Sequence, residues 1–107
     1  MEITVQDFKA KRDAQEDLIL LDVRTDAELD IVSLPDHIHI PVQELPERVG
    51  ELDAHKDAEI ICMCHHGMRS AAAQGFLLDN GFTNVLNLTG GIHAYAVEVD
   101  QSLAVYR

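Results

Sequence analysis

The residues best suited to chemistry lie in one short stretch, Cys64-His65-His66-Gly67-Met68-Arg69-Ser70. A cysteine thiolate is a strong nucleophile, but a free thiol is mostly protonated near neutrality, so chemistry at Cys64 requires surroundings that favour the anion. The residues after it are of that kind. Gly67 permits a positive φ, which lets successive backbone N–H groups turn inward as an anion cradle. Arg69 brings a permanent positive charge, and Ser70 suits a helix start, where free N–H groups and the positive end of the dipole attract an anion. Cys64 and Arg69 are therefore read as catalytic, and His65, His66, Gly67, Met68 and Ser70 as the loop that binds a substrate or anion.

The other candidates have plainer explanations. Period-2 alternation puts Ile60 and Cys62 on one sheet face and Ile61 and Met63 on the other, so Cys62 is read as core. Cysteines at i and i+2 of an extended strand are also poorly placed to bridge. His65 and His66 beside two cysteines suggest a metal, but adjacent ligands do not match the usual zinc spacing, and no metal site or cofactor is read. The two histidines instead give the pocket mouth partial positive charge and backbone donors. His37, His39, His55 and His93 are read as surface or turn residues. Asp22 and Arg24, with Glu28, are taken as structural support, an ion pair near a strand end. The acids between Glu44 and Glu59 look like a solvated helix face.

These residues need elements to position them. Apolar runs alternate with amphipathic stretches, the pattern of strands and crossover helices in a parallel sheet. Leu18 to Val23 and Glu59 to Cys64 read as buried strands; Ile3 to Val5, Ile38 to Ile40 and Val85 to Leu88 are shorter candidates, giving about five strands. Helical spacing covers Val5 to Ala14, Asp26 to Ile31 and Val42 to Leu52. The clearest helix runs from Ser70 to Asn80, with Gly81 as its stop. Cys64 thus stands at the carboxyl end of a strand, where ligands bind in parallel sheets.

The order strand, Cys64-x-x-Gly67-x-Arg69-Ser70, helix resembles the active loop of rhodanese domains. Leu21-Asp22-Val23-Arg24 followed by Glu28 is similar to the family's early strand and its acidic signature. Asn80-Gly81-Phe82, Val85 and Leu88 through Gly90-Gly91-Ile92 match a further block, and Val99-Asp100-Gln101-Ser102-Leu103 to Tyr106 a fourth, so the likeness covers nearly the whole chain. It implies an α/β rhodanese-like three-layer domain, a mainly parallel sheet of about five strands with helices on both faces. It also implies a sulfurtransferase: the thiolate takes the outer sulfur of a donor such as thiosulfate, holds it as a persulfide and passes it to a small thiol, cyanide or a protein. Cys64 to Arg69 is one residue shorter than the loop of related phosphatases, which favours sulfur over a tetrahedral phosphate. The chain departs from the family pattern at Ser33-Leu34-Pro35-Asp36-His37, which alters a turn, and has Tyr95 where a Trp is frequent. The competing readings are a non-catalytic interaction module on the same fold and a persulfide or redox sensor.

The totals are consistent with this reading. At 107 residues and 47% hydrophobic content, residues 1–107 form a single domain able to bury a modest core. A formal charge of −11 disfavours nucleic acid and anionic membranes as partners. Two closely spaced cysteines do not make a disulfide framework, and no apolar run approaches the ~20 residues of a membrane span. A soluble, cytoplasmic protein is expected.

Overall fold

A computed structural model describes Met1 to Arg107. Five strands, β1 (Glu2–Ile3), β2 (Ile19–Asp22), β3 (His37–His39), β4 (Ile60–Met63) and β5 (Val85–Leu88), form one sheet in the order β1-β5-β4-β2-β3, and every pairing is parallel. The α/β architecture expected from the alternating runs is therefore present. Parallel strands need crossovers, and these are α1 (Val5–Asp13), α2 (Asp26–Ile31), α3 (Leu45–Arg48) and α4 (Met68–Asp79), with α5 (Gly91–Glu98) following β5.

Alternation along β4 divides the core in two. Ile60, Cys62 and, beyond the strand, Cys64 face Leu45, Leu52, Ala73 and Leu77 on the α3/α4 side. Ile61 and Met63 face Phe8, Val32, Leu34 and Ile92 on the α1/α5 side. A strand buried on both faces needs the continuous apolar run seen from Ile60 to Met63. Since β4 lies between β2 and β5, its chain and that of β2 leave in opposite directions at the carboxyl edge. Such a reversal opens a crevice beyond the strand ends.

Several boundaries differ from those read in the sequence. The stretch Val42 to Leu52 is not one helix: a 3-10 turn (Val42–Glu44), the single turn α3 and a 3-10 segment (Val49–His55) replace it. Pro46 in the first turn has no N–H to donate, and Gly50 weakens continuation. His37 and His39, expected at the surface or in a turn, belong to edge strand β3 and are half-buried. The altered turn is tolerated because Asp36 adopts a φ of 55°, a conformation Asp accepts better than most residues, and His37 Nδ1 lies 2.7 Å from Leu34 O. Helix α5 carries no counterpart in the sequence reading. Its apolar residues Ile92 and Ala96, with Val99 just after its end, follow helical spacing, but the Gly90-Gly91 pair in front of them looks like a breaker.

Candidate functional site

The site is built where β4 ends. Cys64 leaves the strand buried, and Gly67 turns the chain with a φ of 111° so that α4 starts at Met68. The helix begins two residues earlier than the sequence suggested, because Gly67 and not Ser70 occupies the position before it. Ser70 therefore falls inside the first turn, fully buried, with its hydroxyl turned to the sulfur rather than to the helix backbone.

The sulfur collects donors. Gly67 N–H reaches Cys64 Sγ at 3.0 Å and the Ser70 hydroxyl lies 3.3 Å away. Ser70 Oγ also lies 2.5 Å from Asn87 Oδ1, and Asn87 is oriented by donating its amide N–H to Gly67 O and to Glu2. With one proton to give, Ser70 serves Asn87 or the sulfur, and an ionised Sγ is the stronger acceptor. Burial pushes the Cys64 thiol up, but the Ser70 hydroxyl and the backbone N–H groups of Ser70, Gly67 and His66 outweigh it, leaving the pKa below the ordinary thiol value. Two residues upstream, burial first and the neighbouring charge of Cys64 second push the Cys62 thiol up to about 12. The two cysteines thus have opposite chemistry: one cradled, one inert in the core.

A second layer holds the loop. Ile92 N–H donates to Cys64 O at 2.9 Å and His93 N–H to His65 O at 3.1 Å, so the first amides of α5 clamp the loop carbonyls. This approach is close enough that a Cβ on Gly91 would stand 2.4 Å from His65 O and 2.5 Å from Cys64 O. Only glycine fits there, which accounts for Gly91 at the start of a helix.

Arg69 differs from the reading that set its guanidinium beside the thiolate. It donates to both oxygens of Glu28, at 2.6 and 2.9 Å, and makes no hydrogen bond to Cys64. Its charge acts on the sulfur through space. Glu28 is presented by α2, a six-residue helix fastened by a capping box between Thr25 and Glu28. Arg69 first, then Tyr106 and the Thr25 amide, hold the Glu28 carboxyl well below the usual carboxylate range against the opposing effect of burial. The ion pair expected near the strand end is Asp22–Arg24: both side chains are fully buried, with Arg24 donating to Asp22 at 3.0 and 2.7 Å and to Val32 O at 2.9 Å. The Glu28 carboxylate does not join it; Arg24 reaches only the Glu28 backbone carbonyl, at 3.4 Å.

Tyr106 is the residue sequence reasoning missed. Its hydroxyl accepts from Arg24 at 3.1 Å and donates to Glu28 at 2.5 Å, joining the buried pair to the Arg69 clamp. Its ring stacks on His65 at 3.8 Å and 8°. The signal was an aromatic residue with a polar tip among closing residues already noted as family-like. His65 also departs from expectation. Burial lowers its pKa, with His66 adding to the effect, so it is a neutral stacked ring and not a positive charge at the mouth. His66 and Met68 are exposed on the rim, and His93, expected at the surface, is half-buried beside them.

The rim is shallow. The molecule's one marked concavity is lined by Arg12, Gln15, Glu16, Leu18 and Asp36, near the start of β2 and away from Cys64. Geometry alone thus describes a loop that gathers hydrogen-bond donors around a buried cysteine sulfur. The family model of the rhodanese-like domain matches residues 4–98.

The chain belongs to the rhodanese-like domain family.

Relatives agree with this assignment. A sulfurtransferase of Allochromatium vinosum is 40% identical over 81 residues, which are 76% of this chain and 74% of that protein. The crystal structure of a rhodanese-related protein from Thermoplasma volcanium superposes with a TM-score of 0.81 at 35% identity, covering 92% of both chains. That of a rhodanese-like domain protein from Staphylococcus aureus gives 0.83 at 29% identity and covers both chains completely. The rhodanese-like sheet and helix layers are thus those of the family. In addition, no helix is long and apolar enough to cross a membrane.

Proposed function

We propose that the chain is a sulfurtransferase that carries sulfane sulfur as a persulfide on Cys64, with thiosulfate as a competent donor. The observation that carries this reading is the cradle, in which a buried sulfur meets Gly67 N–H at 3.0 Å and the Ser70 hydroxyl at 3.3 Å at the start of α4. Relatives named sulfurtransferases support the reaction class.

In the first half-reaction the Cys64 thiolate attacks the outer sulfur of thiosulfate. A new S–S bond forms at Sγ, the S–S bond of thiosulfate breaks, and sulfite departs with the electron pair. In the second, a nucleophilic acceptor attacks the outer sulfur, the Sγ–S bond breaks, and the thiolate returns. Splitting the transfer in two is covalent catalysis, and the same N–H groups stabilise the anion in both halves. Arg69, fixed by Glu28, contributes a positive field without occupying the sulfur's hydrogen-bonding positions.

A shallow rim suits a small thiol, cyanide or the tail of another protein as acceptor. A charge of −11 turns the domain away from nucleic acid and anionic membrane. Two unpaired cysteines fit a reducing cytoplasm.

The test is turnover. With thiosulfate and cyanide, the protein should release thiocyanate with parallel double-reciprocal lines, the mark of a ping-pong cycle, and Cys64→Ser should release none. Thiocyanate production that persists in Cys64→Ser, or is absent from the unaltered protein with both thiosulfate and persulfide donors, overturns the proposal.

A further inference from the structure

Three histidine rings that the sulfur chemistry does not use meet beside the loop. His65 and His66 follow Cys64, and His93 comes from the first turn of α5, whose backbone N–H is bonded to His65 O at 3.1 Å. The His66 ring lies 3.9 Å from that of His65 and 4.8 Å from that of His93, centroid to centroid, and 5.8 Å separates His65 from His93. One ring nitrogen from each lies within 4.8 Å of the other two. His65 Nε2 and His93 Nδ1 are buried and have no hydrogen-bond partner. Buried polar atoms of that kind are uncommon and call for an explanation.

From this cluster we infer that His65, His66 and His93 form a binding site for a divalent transition metal ion of the zinc class. Neutral imidazole is a ligand for such metals, whereas hard ions such as magnesium and calcium take oxygen ligands. Neighbouring histidines in a strand would face opposite ways, but residues 65 and 66 lie in an irregular loop that brings both rings to one side. The third ligand comes from another element, which the spacing along the chain does not reveal. Zinc–nitrogen bonds of about 2.0–2.1 Å place ligand nitrogens about 3.3 Å apart in a tetrahedron, so the group closes by small side-chain rotations, for which the exposed His66 is the freest of the three. His65 is held by its stack on Tyr106, and His93 by α5, so two ligands are already ordered. Three protein ligands leave the fourth position open to water or an anion. Both cysteines stand outside the set, Cys62 in the core and Cys64 in its cradle.

The inference is independent of the persulfide reading and is tested without the thiol. In Cys64→Ser protein, cobalt(II) should bind at one equivalent with a visible d–d spectrum and be displaced by zinc. Zinc should shift the ring 15N resonances of His65, His66 and His93 and leave those of His37, His39 and His55 in place. His93→Ala in the same background should weaken cobalt binding at least tenfold. The ring resonances of the chain with all its histidines decide the matter even where His93→Ala folds poorly. Absence of saturable binding, binding unchanged by His93→Ala, or shifts confined to other histidines would overturn the site.

Discussion

Adding a single methyl group at two glycines should move stability in opposite directions. At Gly91, φ is +64° and a Cβ would meet the backbone carbonyls of His65 at 2.4 Å and Cys64 at 2.5 Å. An L-residue in left-handed backbone costs about 1–2 kcal/mol, and overpacking against groups that cannot turn aside costs about 1–3 kcal/mol. Gly91→Ala should therefore lose about 2–5 kcal/mol, a large share of the roughly 5–15 kcal/mol that stabilises a domain. For a chain of this size that lowers Tm by about 10–25 °C. At Gly75, within α4, φ is ordinary and nothing lies within 4 Å of the added Cβ. Gly75→Ala should gain about 0.5–1 kcal/mol from reduced freedom of the unfolded chain and better helix propensity. Urea and thermal melts of the two variants, run beside the parent, measure both. The loop carbonyls that resist Gly91→Ala belong to Cys64 and His65, so alkylation of Cys64 in the folded variant should also slow. Equal stability of Gly91→Ala and parent would refute the clamp between α5 and the loop.

Iodoacetamide near neutral pH should modify Cys64 and spare Cys62 until denaturant is added, because burial pushes the Cys62 thiol up to about 12 while the cradle lowers that of Cys64; peptide mass mapping reads the difference, and equal labelling would contradict it. Glu28 is held low by Arg69, so its contribution is fully present above the ordinary carboxylate value and is lost as pH falls through its depressed folded one. Glu28→Gln should thus be less stable than the parent near neutrality, and the gap in urea midpoint should close as the pH is taken below about 4; a gap that widens in acid would show the sign to be wrong. Arg24→Met should cost about 3–5 kcal/mol in urea unfolding, since it strands the fully buried Asp22 carboxylate, and a loss below 1 kcal/mol would mean that Asp22 is neutral or solvated.

What could be read from the sequence was local. Ile60 to Met63 announces a strand buried on both faces, and alternation within it separates Cys62 from Cys64 without any knowledge of the fold. Gly67 announces the turn. Ser70 has the propensity of a helix-start residue, but Gly67 makes the start and leaves the Ser70 hydroxyl between Asn87 and the sulfur. The unread parts depend on contacts between distant segments. Arg69 finds Glu28 across 41 residues, and Tyr106 finds Glu28 across 78. No spacing rule links such positions. Helix α5 had apolar residues at helical intervals, but two leading glycines hid it, and their purpose appears only when the loop carbonyls are seen against Gly91. The histidine cluster is likewise a product of α5 docking on the loop.

The central claim is that sulfur resides on Cys64, and intact-mass measurement addresses it most directly. Incubated with thiosulfate and freed of excess reagent, the protein should be heavier by one sulfur atom, return to its starting mass on adding cyanide, and show no gain as Cys64→Ser. A chain that stays at its starting mass with thiosulfate and with persulfide donors, or a Cys64→Ser variant that gains the sulfur regardless, would contradict it.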